Sequence, residues 1–204
     1  MGCMPESDPT AQFQQLVADI ENLTDRERLI GAYVSIREIP YGSPNSPSPL
    51  LVIERNRGTA KGKHMLLKLV LTSLGYEVQE HWARHDLGKL PIDPWPEALE
   101  DFRGKPLTGF HDFLKVKVGD VWVTVDATYD KALLALGFPV HDWDGVSDIP
   151  LPVSVLETFE VEPPIDDHKK RLVTSLPEEE QLRRKKFLQT LKKWVEEERT
   201  KLKA

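Results

Sequence analysis

Apolar and polar positions alternate in two runs that meet at Gly119-Asp120. Leu114, Val116, Val118, Val121, Val123 and Val125 occupy one set of alternate positions, and His111, Phe113, Lys115, Lys117, Trp122, Thr124 and Asp126 the other. A period of two predicts a half-buried antiparallel hairpin. A Gly-first two-residue loop is of the type that closes tight hairpins. Pairing Val118 with Val121 sets Phe113 opposite Asp126 and makes His111 the diagonal neighbour of Asp126, within reach of a long side chain. A slip of one residue would bury the lysines, so the contrast between the faces fixes the register.

The rest of the chain reads mostly as helix and loop. Phe13, Leu16, Val17 and Ile20 predict an amphipathic helix from Ala11 to about Asn22. Thr24 and Glu27 form a capping-box pattern opening a second helix through Leu29, Ala32, Tyr33 and Ile36, which Pro40 ends. Tyr41 to Pro49 is a loop, and a short segment from Leu50 to Arg55 leads into a helix starting at Ala60. Thr59 is its expected N-cap and Gly75 its stop, with Met65, Leu66, Leu69, Val70 and Ser73 or Leu74 as the apolar stripe. Tyr76 to Trp82 alternates like a strand. Arg84 to Gly109 holds four prolines and reads as a long loop, the kind that forms a lid, lines a binding site or is disordered. A turn of helix is expected at Lys131 to Leu136, and a final edge strand within Val153 to Val161.

Pro163-Pro164 marks a boundary before a charged helix that runs from about Ser175 nearly to Ala204. Leu188, Leu191, Val195 and Leu202 form its narrow stripe, with Phe187 and Trp194 beside it. The expected organisation is a disordered tail over 1–10, one domain over 11–165, and a linker with a C-terminal amphipathic helix over 166–204. The stripe reads as resting on the domain, with a partner or oligomer contact as the alternative. Few contacts are expected to cross the Pro-Pro boundary, so that residues 167–204 could be removed without unfolding the domain.

A chain of 204 residues with 40% hydrophobic and 29% charged residues suits one soluble domain with an appended element. The net charge of -6 argues against a dedicated nucleic-acid binder. No apolar run is long enough to span a membrane, and Met1 to Thr10 has no apolar core for a signal peptide. Gly2-Cys3 invites comparison with an acylated terminus, but Glu6 stands where the myristoylation pattern needs Ser or Thr. Cys3 is the single cysteine, which rules out an intrachain disulfide and fits the cytoplasm.

Candidate chemistry centres on His111 and Asp126. An acid that orients a base is half of a nucleophilic triad. A helix N-terminus lowers a thiol's pKa and would activate a cysteine at position 60, but alanine stands there. Three features occur in order: Arg57-Gly58-Thr59-Ala60 opening a helix, His111 near a strand start, and Val125-Asp126-Ala127-Thr128 closing the next strand. Over residues 12 to 130 this order resembles the transglutaminase-like superfamily, the papain-like group with a Cys-His-Asp triad. The resemblance implies an α/β (α+β) cysteine-protease-like fold, with an antiparallel sheet packed against the Ala60 helix and a C-terminal charged helix added. It implies acyl transfer or amide hydrolysis by a thiolate, without a cofactor. The nucleophile position falls on Ala60, the base on His111 and its orienting acid on Asp126, with Lys61 and Trp122 as cleft-lining candidates.

An alanine methyl cannot attack a carbonyl, so the expected role is a catalytically inactive relative that uses the cleft to bind a peptide or protein. The alternatives are an active acyltransferase or amide hydrolase family whose nucleophile is substituted in this sequence, and non-canonical chemistry using His111 with Lys61 or a water. Lys61, Lys63 and His64 read as exposed polar residues on the first helical turn, with an anion site there as the rival view. His81, His85, Asp86, His111 and Asp112 are metal-ligand types without a ligand spacing, so no metal site is expected. Around Trp143, His141 to Asp144 reads as a loop with an anchoring indole.

Overall fold

A computed structural model describes residues 8–160 and 165–202. The chain is mixed α/β. Helices α1 (Pro9–Glu21), α2 (Asp25–Arg37), α3 (Pro49–Glu54) and α4 (Ala60–Ser73) come first, then strands β1 (Val78–Asp86), β2 (Thr108–Val118), β3 (Val121–Val125) and β4 (Val155–Glu160), then α5 (Ile165–Ser175) and α6 (Glu178–Leu202). Short 3-10 turns at Leu87–Lys89, Glu97–Phe102 and Lys131–Leu136 punctuate the connections. Among the described residues the strands form one curled antiparallel sheet in the order β3-β2-β1-β4.

Local chemistry accounts for the elements. Asp8 caps α1 by accepting from the Thr10 amide at 2.9 Å, and Pro9 takes the first helical position, where no amide is needed. The expected tail therefore loses Asp8 to the cap and residues 9–10 to the helix, and the rest of it, with Cys3, lies outside the described residues, as does Pro163-Pro164. The capping box on α2 forms, with the Thr24 amide donating to Glu27 at 3.0 Å. The β2–β3 hairpin has the expected register, Val118 opposite Val121 and Leu114 opposite Val125. Its turn depends on Gly119 at φ +60°, a conformation that costs a side-chain-bearing residue.

Two cores result. The first joins α4 to the sheet, with Leu66, Leu67, Val70 and Leu71 against Leu114, Val116, Val123 and Val125. Each such side chain contributes about 1.5–3 kcal/mol on burial. The stripe on α4 differs from the expected one: Leu69 is exposed, while Lys63 and His64 are buried. The second core corrects the reading of Arg84 to Gly109 as a loop. Strand β1 continues to Asp86, and Leu87, Leu90, Ile92, Leu99, Phe102 and Leu107 then pack inward. They meet Phe187, Leu191 and Val195 of α6. Arg199 of α6 also forms a buried ion pair with Asp130, whose carboxylate accepts the Tyr41 amide at 2.8 Å. The C-terminal helix is thus built into the molecule, against the expectation that few contacts cross to it.

Candidate functional site

His111 lies on β2, and Asp126 follows the last residue of β3. His111 Nε2 is 2.5 Å from Asp126 Oδ2, the diagonal contact expected from the register. The other carboxylate oxygen, Oδ1, accepts the Thr128 amide at 2.9 Å. Burial pushes the Asp126 carboxyl up, but the neighbouring His111, with the hydrogen bonds from His111 and Thr128, outweighs it and holds it well below the usual carboxylate range. A carboxylate only accepts, so His111 Nε2 carries the hydrogen of this pair. Both groups are shut in, each 6% exposed.

His64 belongs to the same cluster, and its position corrects the sequence reading of an exposed first turn. It sits one turn after Ala60 on the same face of α4, and its ring centroid lies 6.3 Å from that of His111. The Ala127 amide donates to His64 Nε2 at 2.9 Å, which makes that nitrogen the bare one and places the ring hydrogen on Nδ1. Nε2 is also 3.8 Å from Asp126 Oδ1. Two acceptors at that distance do not bond, so this contact is no ion pair. Burial drives the imidazole pKa down to about 4, with Asp126 opposing. His64 Nδ1 is buried without a partner among the described residues. The neutral ring is a latch that holds the Ala127 backbone beside the His111–Asp126 pair.

Lys63 is buried too. Its ammonium donates to the carbonyls of Arg37, Ile39 and Thr128 at 2.9, 2.8 and 2.8 Å. Burial pulls its pKa down to about 7, opposed by Asp130 and Asp126. All three donors are used, so the lysine closes the end of α2 and ties it to the segment after β3 rather than awaiting an anion. His85 completes the cluster at 6.3 Å from His111, centroid to centroid. Opposite it in the β1–β2 register is Gly109, where an added Cβ would come within 2.5 Å of His85 Nε2. Burial, and then His111, lower the His85 pKa to about 3.

Ala60 opens α4, behind the Thr59 cap whose hydroxyl accepts the Gly62 amide at 3.3 Å. Lys61, Phe110, Asp112, Lys169, Lys170 and Arg184 line an open groove with Val173 and Thr174. Phe110 and Asp112 flank His111 in sequence, but neither His111 nor Asp126 lines the groove. Trp122 is half-buried opposite Lys117 on the hairpin and is not part of this groove. Trp82, the other aromatic near the expected cleft, is closed off by Phe159 stacked at 4.1 Å and by the edges of Phe110 and His168. Trp143 anchors its loop, with Nε1 donating to Ser147 O at 2.8 Å.

His64 and His85 are the members of the cluster that the sequence does not place beside His111: it reads His64 as part of an exposed first turn and His85 as one of a loose set of metal-ligand types. For His64 a signal exists: positions 60, 64, 67 and 71 recur at helical spacing, and Leu67 and Leu71 are buried on α4. Among the described residues no group of three or more His, Cys, Asp or Glu side chains is arranged to hold a metal. No helix among them is long and apolar enough to cross a membrane. No family model matches the chain, and no curated protein matches it.

Proposed function

We propose that this chain is a transglutaminase-like domain with Ala60 at the nucleophile position, and that it binds an extended acidic peptide without cleaving it. The observation that carries the reading is the buried His111–Asp126 hydrogen bond, set within ring contact of His64 one turn beyond Ala60. A base and its orienting acid, with an inert methyl one helical turn before His64, suit a retained scaffold without the acyl-transfer step. The groove beside Ala60 supplies the recognition chemistry. Lys61, Lys169, Lys170 and Arg184 surround one carboxylate, Asp112, which is itself paired with Lys169. On a chain of net charge -6 this is a local reversal of sign, and it favours an acidic partner. Phe110, with the Arg184 guanidinium 5.7 Å from its ring centre, offers an apolar contact in the same groove.

The test is fluorescence anisotropy with labelled acidic, neutral and basic peptides. The acidic peptide is expected to bind more tightly, and Lys170→Glu to weaken it by about tenfold, the effect of reversing one rim charge. Intact peptide should be recovered after prolonged incubation. Equal affinity for all three peptides would defeat the binding reading, and cleaved peptide would restore the enzymatic alternative, with His111 acting through Lys61 or a water. Since His111 lines no part of the groove, His111→Ala is expected to lower Tm while leaving capture unchanged.

A further inference from the structure

We propose that the cavity between α6 and the turn at Tyr41 is a binding site for a small monocarboxylate with an aliphatic or aromatic tail. The site is separate from the peptide groove and does not rest on it. Its walls are apolar: Tyr41 on one side, and Leu188, Leu191 and Val195 of α6 on the other. The walls are firmly placed. Pro40 to Gly42 is pinned to the segment before α4 by hydrogen bonds in both directions, Gly58 N to Pro40 O at 3.1 Å and Gly42 N to Gly58 O at 2.9 Å. Leu191 and Val195 are locked into the second core, while Leu188 at the mouth remains 39% exposed. A guest with an apolar tail would cover that leucine.

Size and charge select the guest. The cavity holds about 240 Å³. Sites for drug-sized ligands span roughly 300–1,000 Å³, and an apolar cavity of about 150 Å³ accepts benzene, so a short acid such as octanoate suits this one. At the rim Glu196 is neutralised by Arg57 at 2.9 Å. Lys192, also at the rim, has no ion-pair partner among the described residues and is left as an unmatched positive charge. The Thr59 hydroxyl in the same wall accepts from the Gly62 amide, which leaves its own hydrogen to donate. One cation and the Thr59 and Ser43 hydroxyl donors at the open end of an apolar cavity match a single carboxylate heading an apolar tail.

Calorimetric titration of the full chain with octanoate, octanol and octylamine, near neutral pH and below micellar concentrations, tests the site. Octanoate is expected to bind, octanol more weakly, and octylamine not at all. Lys192→Ala should weaken octanoate by about tenfold, the scale of one charge-assisted hydrogen bond, and leave octanol unchanged. Leu188→Trp should fill the mouth and remove both interactions. Leu188→Glu, at the same partly exposed position, should repel octanoate alone, with thermal melts confirming that each variant is folded. The proposal is overturned if octanoate gives no binding heat up to millimolar concentration, if octylamine binds as well as octanoate, or if octanoate affinity is the same in Lys192→Ala and both Leu188 variants.

Discussion

Replacing Phe187 by alanine measures how far α6 belongs to the fold. The ring is fully buried and meets Phe102 edge to face, at 5.2 Å and 88°. Truncating a buried Phe costs about 3–5 kcal/mol, lost transfer energy and residual cavity together. The rigid partners here, Leu99 and Phe102 on the segment after β1 and Leu191 on α6, leave little room for collapse. In a chain of this size each kcal/mol lowers Tm by about 2–4 °C, so the expected drop is roughly 6–20 °C. Far-UV circular dichroism melts of Phe187→Ala, beside Lys193→Ala as an exposed control on the same helix, give the answer. Lys193 makes only a 3.7 Å surface pair with Glu197, and its removal should stay within about 0.5 kcal/mol. If Phe187→Ala melts like the control, α6 is a detachable appendage and contributes nothing to a second core. A single cooperative transition at lower temperature is the expected result.

Three further outcomes follow from the buried polar groups. Lys63→Met keeps the side-chain bulk but strands the carbonyls of Arg37, Ile39 and Thr128, and is expected to cost about 3 kcal/mol in urea titrations; a loss below 1 kcal/mol would show that the carbonyls find other donors. The His64 pKa falls from 6.5 to about 4 on folding, so as pH drops through that window the unfolded chain takes up a proton that the folded chain refuses. Stability is then fully present above 6.5 and is lost, by up to roughly 3 kcal/mol, towards pH 4. His64→Gln, which retains an acceptor for the Ala127 amide, should flatten this part of the stability profile, and an unchanged slope would assign it to other groups. Ala60→Cys, made with Cys3→Ser so that only one thiol remains, should react with iodoacetamide as a thiolate well below the ordinary thiol pKa of about 8.5. Adding His111→Ala should move that pKa back up, and an ordinary value in the first variant would mean that helix start and histidine no longer act together.

What was legible in the sequence was local. The hairpin register, its glycine turn, the Thr24 and Thr59 caps and the helical turn at Lys131 each follow from neighbouring residues, and so does the approach of His111 to Asp126. What escaped depended on partners far along the chain. Lys63 and His64 look like surface residues because their acceptor and donor groups, Thr128 O and the Ala127 amide, lie more than sixty residues away. Leu69 is 38% exposed, while Lys63 and His64 on the same helix face the segment after β3 that holds them. Arg84 to Gly109 reads as a loop because its apolar residues have no repeating period, and they pack instead with Phe187 and Leu191 on a helix 80 to 104 residues later.

The side chains holding the start of α4 are Thr59, Lys63 and His64, and Ala60 is none of them. The hydrogen bonds that place the backbone at this point therefore come from side chains other than the Ala60 methyl. On the transglutaminase-like reading, a single substitution there would add or remove the reactive group without removing any of these three side chains, so reactivity and fold integrity could change separately over evolutionary time. The same separation makes position 60 a useful point for attaching a probe or an unnatural side chain.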